Sequence, residues 1–247
     1  MTMGDSTTGL AANELDTFGP GFMEISDRLG RYDTTHEDAR QAIALLGLRP
    51  GARVLDAACG FGRFAAALHE LGCESVGVDI SPAAIAEAQR RCPGPEYVVG
   101  DLRAPLPQIG DFDALVNVFS SFGYGASVEE DQQMLDNWRR LLRPGGQLLM
   151  ELSDLERSRA RLGGVGKTVR RETNGVTEIL RVDPETHVLH IRYELGEHEL
   201  EVETRLFEAD ELVGMVERAG FHEIQRYGGF DGHAKTPEDR LVLVAVA

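Results

Sequence analysis

Residues 53–65 read Arg-Val-Leu-Asp-Ala-Ala-Cys-Gly-Phe-Gly-Arg-Phe-Ala. Val54 and Leu55 mark a buried strand, Asp56 stands at its carboxyl end, Gly60 and Gly62 make a turn, and a helix begins behind them. A second strand follows and closes in Val-Gly-Val-Asp-Ile over 76–80, which places Asp79 17 residues beyond Gly62. Strand, glycine turn, helix, strand and acid form a device for holding a nucleoside. The turn lets backbone approach the ligand, and the terminal acid accepts hydrogen bonds from ribose hydroxyls.

Around this unit the chain has 247 residues, enough for one large α/β domain or a domain with an insertion. Asp and Glu number 41 against 25 Lys and Arg, a net charge of −16. So acidic a surface repels phosphate backbones and argues against nucleic acid as a partner. No stretch approaches the roughly 18–20 apolar residues of a membrane span. The amino-terminal residues lack the charged-then-apolar order of a signal peptide. Cys59, Cys73 and Cys92 form no Cys-x-x-Cys pair, which suits free thiols in a reducing cytoplasm, the expected location.

Residues 1–13 read as a flexible tail and 14–48 as a helical cap. Thr34-x-x-Glu37 has the form of a capping box, opening a helix that stops at Gly47. Beyond the quoted stretch, Ser81 caps and Pro82 starts a helix; strands follow at 97–99 and 113–118, a helix opens at Ser127, and Arg143-Pro144-Gly145-Gly146 leads into a strand at 147–152. Such alternation predicts a parallel sheet covered on both faces. The period then drops to 2. Leu189, Ile191, Tyr193 and Leu195 alternate with polar residues, as do Leu200, Val202, Thr204 and Leu206, with turns at Asn174-Gly175 and Asp183-Pro184. The segment 155–207 is therefore expected to be an antiparallel β insertion after strand five, a substrate lid or a dimer surface. A helix at 209–219 and strands at 221–227 and 240–246 complete the chain; the short, Gly- and Pro-broken link between these strands requires them to run antiparallel.

Together, Leu55-Asp56-Ala57-Ala58-Cys59-Gly60-Phe61-Gly62, Asp79, Gly100-Asp101-Leu102 and Leu142-Arg143-Pro144-Gly145-Gly146 resemble the motifs of class I S-adenosylmethionine (SAM)-dependent methyltransferases. The resemblance covers about 30–155 and 208–247. It implies a Rossmann-like seven-stranded sheet with an antiparallel last strand, its core at 49–154 and 208–247. The closing Gly228-Gly229-Phe230-Asp231-Gly232 resembles small-molecule N- and O-methyltransferases, glycine-type and antibiotic-modifying N-methyltransferases among them. It implies SAM as cofactor, a small-molecule acceptor (an amine nitrogen before an oxygen) and no metal. A nicotinamide dinucleotide is the rival cofactor, but its pyrophosphate would lie where Asp56 repels it. A SAM-binding protein without catalysis stays open, as does a homodimer.

The resemblance also implies site residues. Asp56, Ala57 and Gly60 meet the methionyl end, Asp79 the ribose, Ile80, Asp101 and Leu102 the adenine, and Asn117 and Val118 the space under the sulfonium. Tyr32 and Arg40 come from the cap, Arg40 to pair with the methionyl carboxylate; an exposed helical Arg40 is the plain alternative. Phe119, Phe122 and Tyr124 wall the acceptor pocket or else fill the core. Where an acceptor needs a base, Tyr124, His36 and Glu151 are candidates, with His190, His198 and His233 behind them. No spacing has the form of a zinc site.

Overall fold

A computed structural model describes residues 18–106 and 108–247 of the chain; the expected tail at 1–13 and the first residues of the cap, 14–17, lie outside the described residues. The cap consists of α1 (Pro20–Arg28) and α2 (Thr35–Leu45). Then come β1 (Arg53–Ala57), α3 (Arg63–Glu70), β2 (Glu74–Asp79), α4 (Pro82–Arg91), β3 (Glu96–Val99), β4 (Phe112–Asn117), α5 (Val128–Leu141) and β5 (Leu142–Leu152). The insertion holds α6 (Leu155–Leu162), β6 (Thr168–Thr173), β7 (Val176–Val182), β8 (Val188–Leu195) and β9 (His198–Arg205). The chain ends with α7 (Ala209–Arg218), β10 (His222–Tyr227) and β11 (Leu241–Val246).

Seven strands form one sheet in the order β10-β11-β5-β4-β1-β2-β3. β1 to β5 pair in parallel, whereas β11 runs antiparallel to both β5 and β10. Alternation along the strands divides the core between the two faces. Leu115, Leu148, Met150, Leu241 and Leu243 pack with Leu135 and Trp138 of α5 and Leu212 and Met215 of α7. Ala114, Val116, Leu149, Val242 and Val244 turn the other way, toward Ala39 and Ala42 of α2 and Phe64 and Leu68 of α3.

The insertion forms its own sheet, β6-β7-β8-β9, antiparallel throughout. Register sets Leu180 opposite Ile191 and Ile191 opposite Val202, aligning its apolar face. Part of that face packs on the cap, with Val176, Tyr193 and Val202 against Ile25 and, at the edge, Phe22 and Leu29. Asn174 and Gly175, both at positive φ (49° and 78°), form the expected hairpin turn. At the second turn the Asp183 carboxylate accepts from the amides of Glu185 and Thr186, each at 2.9 Å.

Local readings fail in three places. The Thr34 capping box does not form. Thr34 donates to Asp38 at 2.8 Å, and Glu37 is held by Arg40 and Gln41 on its own helix. Arg143-Pro144-Gly145-Gly146 falls inside β5, as an irregularity between the Phe112–Leu142 and Ala114–Gln147 pairs. The insertion opens with a helix: Asp154 caps α6 by accepting the Arg157 amide at 2.9 Å, and strand periodicity does not reveal this.

Gly77, in the middle of β2, is fixed by close approach. A Cβ there would lie 2.8 Å from both Cys59 Sγ and Tyr97 Cδ1. Tyr97 cannot yield freely, because its hydroxyl donates to the carbonyls of Cys92 at 2.8 Å and Gly62 at 3.2 Å. Gly77→Ala is expected to lower the unfolding free energy by about 1–3 kcal/mol in urea denaturation.

Candidate active site

The loops that leave the carboxyl ends of β1 to β5 meet in a cavity of about 1320 Å³. The edge is where open α/β sheets bind ligands, since the strand ends and helix starts point their free backbone groups there. The cavity is walled by Ala58–Phe61 after β1, Asp79 and Ile80 after β2, Gly100–Arg103 after β3, Phe119–Phe122 and Tyr124 after β4, and Glu151–Ser153 at the end of β5. The cap adds Phe18, Phe22 and Tyr32, and the insertion adds Leu180, Ile191, Tyr193 and Val202.

The glycine turn is tied down from below. Asp79 accepts the Gly60 amide at 2.8 Å on one carboxylate oxygen and the Ser81 amide at 2.9 Å on the other. Burial pushes its carboxyl up, and these backbone donors work against the shift. Each oxygen keeps a further lone pair for a ligand hydroxyl. Gly60 (φ 54°) has open space where a side chain would stand, whereas a side chain at Gly62 (φ 76°) would run into the Tyr97 ring. Asp56 is completely buried and does not line the cavity; it accepts the Ala65 amide at 3.0 Å and so caps α3. The expected contact of Asp56 with the methionyl end is thus not seen; its carboxylate is turned inward to hold the helix behind the glycine turn.

Ile80 and Leu102 face the cavity, as does Asp101. Burial raises the Asp101 carboxyl, but hydrogen bonds from the Arg103 guanidinium and amide, 2.9 Å each, win and hold it below its usual value. Ala57, Asn117 and Val118 lie beneath the floor. Asn117 donates to the carbonyls of Ala57 at 2.8 Å and Ser121 at 3.3 Å, binding the ends of β1 and β4 together. Phe119 lines the cavity against Phe64, ring centres 6.0 Å apart. Phe122 is packed between Trp138 and Phe207 and is chiefly a core residue that reaches the wall.

Besides Asp56, Ala57, Asn117 and Val118, the cavity lining leaves out Arg40 and His36, and also His190 and His198. Arg40 sits on the exposed side of α2, paired to Glu37, and His36 lies on the same outer surface, 4.0 Å from Glu70. A residue of the quoted stretch does reach the cavity. The Arg63 guanidinium stacks 3.1 Å from the centre of the Tyr32 ring, donates to Thr35 Oγ1 at 2.9 Å and lines the cavity. Its position directly after the second turn glycine was the available signal; it reads as a helix start only. Arg240 was also unforeseen. It donates to Ser120 Oγ at 2.8 Å and to Glu151, while Glu151 accepts the Phe119 amide at 2.7 Å. Among the described residues, no group of three or more His, Cys, Asp or Glu is placed to hold a metal ion, and no helix is long and apolar enough to cross a membrane.

Burial pushes the Asp56 carboxyl up to about 7; the Ala65 amide opposes the shift and the nearby Asp79 adds to it. Between the ordinary Asp value of about 4 and about 7, the folded chain keeps a proton that the unfolded chain has lost, so stability falls as pH rises through that window and levels off above it. Asp56→Asn keeps an acceptor for the Ala65 amide. It is expected to be about 1–3 kcal/mol more stable than the parent at pH 8 and to lose more than half of that advantage by pH 5, as read by urea denaturation at both pH values.

Residues 54–146 match the methyltransferase domain family. A demethylmenaquinone methyltransferase of Beutenbergia cavernae is 36% identical over 136 residues, 51% of this chain and 55% of that protein. The chain spans about half the length of the curated relatives it matches first. Among solved structures, an S-adenosylmethionine-dependent methyltransferase from Clostridium acetobutylicum superposes with a TM-score of 0.75 at 16% identity, covering 92% of this chain and 97% of that one. The sugar N-methyltransferase KedS8 of a Streptoalloteichus species gives 0.68 at 22%, over 100% and 98%. Sheet order, the reversed last strand and the family match agree on one architecture, and the chain has the class I SAM-dependent methyltransferase fold.

Proposed function

We propose that the chain is a SAM-dependent methyltransferase that methylates a small molecule, and that the accepting atom is an amine nitrogen. One continuous cavity carries this reading: it runs from the glycine turn and Asp79 to the underside of the insertion sheet, so donor and acceptor share a single space. The residues present fit the donor. Asp79 has lone pairs left for ribose hydroxyls, Gly60 leaves room for close approach, and Ile80 and Leu102 offer apolar walls for adenine, with Asp101 at its amino edge. Arg63, whose guanidinium is held by the Tyr32 ring and Thr35 Oγ1 at the cavity wall, takes the methionyl carboxylate in place of Arg40. The insertion acts as the lid, since Leu180, Ile191, Tyr193 and Val202 close the acceptor end.

When bound, the donor supplies a sulfonium-activated methyl group, already a good electrophile. The protein has to align donor and acceptor and exclude water, with the reacting atoms about 3–3.5 Å apart. The acceptor nitrogen forms the new bond with its lone pair as the C–S bond breaks, and its remaining proton passes to solvent. Tyr124, Glu151 and His233 are not free to assist. Burial pushes the Tyr124 hydroxyl well above its usual value. Glu151 is taken by the Phe119 amide and Arg240. His233 lies between Asp231 at 2.5 Å and Asp239 at 3.4 Å, which favours its protonated form. A neutral amine needs no base to attack, whereas an alcohol does. The names of two structural neighbours, a sugar N-methyltransferase and a glycopeptide N-methyltransferase, point the same way.

In isothermal titration, SAM is expected to bind and a nicotinamide dinucleotide not to; the reverse result defeats the proposal. Asp79→Asn should weaken SAM about ten-fold, the loss of one charge-assisted hydrogen bond. Arg63→Ala should weaken SAM but leave adenosine unchanged, because adenosine has no carboxylate, and Arg40→Ala should leave both unchanged. A loss with Arg40→Ala alone would return the carboxylate to the outer helix.

A further inference from the structure

Helix α6 and strand β6 bring three arginines to one wall of the cavity. Arg157 and Arg161 stand four residues apart on α6 and so share a face. Arg171 of β6 donates to the Arg161 carbonyl at 2.9 Å. Asp154 and Asp239 lie near enough to attract Arg157, but they also hold other partners. Asp154 caps α6 and faces Lys235 at 3.1 Å, Glu156 binds Lys235 at 2.8 Å, and Asp239 holds Thr236 at 2.8 Å and faces His233. The recorded partners of the Arg157 guanidinium are neutral, the Glu238 carbonyl at 3.1 Å and the Ser153 hydroxyl at 3.2 Å.

This arrangement crowds cations on one wall. Arg157 is the third residue of α6, near the end of the helix dipole that repels cations. Desolvation lowers its affinity for its proton, and repulsion from Arg161 adds to that. Composition does not force such crowding, because acids outnumber bases 41 to 25 in the chain. Guanidinium forks match the paired oxygens of phosphate and carboxylate, and an arriving anion relieves the mutual repulsion.

We infer that Arg157, Arg161 and Arg171 form an oxyanion subsite in the acceptor end of the cavity, and that the methylated molecule carries a phosphoryl or carboxylate group. The second half of this statement rests on the methyl-transfer reading; the subsite rests on the cluster alone. The subsite would hold the acceptor by its charged tail and leave the nucleophile free to reach the donor, against the repulsion of the chain's overall negative charge.

The test is calorimetric titration of the full chain, loaded with S-adenosylhomocysteine, with inorganic pyrophosphate and in a second arm with succinate, at low and high salt. At least one anion should bind saturably, more weakly at high salt. R161A/R171A should weaken it about ten-fold or more. R90A/R91A removes the same charge from α4 and should leave binding as in the parent, and S-adenosylhomocysteine affinity should be equal in all three proteins. The better-bound anion tells a phosphoryl from a carboxylate tail. Binding of neither anion, or equal losses in the two double variants, overturns the subsite. A parent that binds pyrophosphate but not S-adenosylhomocysteine keeps the subsite and loses the methyl-transfer reading.

Discussion

The Asp79 carboxylate is the fastening on which the cavity depends. By accepting the amides of Gly60 and Ser81, it locks the loop after β1 to the start of α4. The turn could not hold its shape unaided, since Ala58, Gly60 and Gly62 all lie at positive φ. For Ala58 (φ 62°) that conformation costs free energy, which the surrounding contacts must offset. Tyr97 closes the turn from the other side through the Gly62 carbonyl, and Gly77 leaves Tyr97 the room to do so. Three sequence-distant residues therefore determine one short loop.

A second strained segment lies across the cavity. Phe119 and Ser120 both take φ near 60° as the chain leaves β4. Glu151 holds them through the Phe119 amide, its own carbonyl accepts the Ser120 amide at 3.0 Å, and Arg240 reaches over from the start of β11 to Ser120 Oγ. The antiparallel β11 makes this possible: because it enters the sheet at the carboxyl edge, its first residues are delivered to the site rather than to the opposite rim. The reversed strand, a matter of topology, thus supplies a cation to the site. Strain held by a dense network is common where a protein must present a ligand surface without rearranging.

Most of the core was legible because its strands are short apolar runs. Near-continuous apolar residues in 113–118, 147–152 and 240–246 mark strands that are buried on both faces, and Ser81 and Ser127 cap helices as they read. The site was legible in part. Asp79, Ile80, Asp101 and Leu102 line the cavity because strand ends converge there in any such sheet, whatever their side chains do elsewhere. Arg40 did not follow, since the face of a cap helix depends on how that helix docks. Ala39 and Ala42 face the core and turn Arg40 outward. α6 escaped for a similar reason: its polar sequence carries no apolar stripe, and a cap at Asp154 with Leu155 and Leu162 against the insertion sheet gives it a place.

What the sequence determined by itself was local: the glycine turn, the acid ending β2, the order of strands and helices, and the apolar and charged faces of the insertion. These follow from spacing along a few residues, where covalent geometry and burial leave one solution. The choice of arginines belongs to the tertiary structure. Arg63 over the Tyr32 ring, Arg240 on Glu151, and Arg157 and Arg161 beside Arg171 are joined by contacts across separate elements, and only the packing of cap, core and insertion decides which cations face the cavity and which, like Arg40, face water.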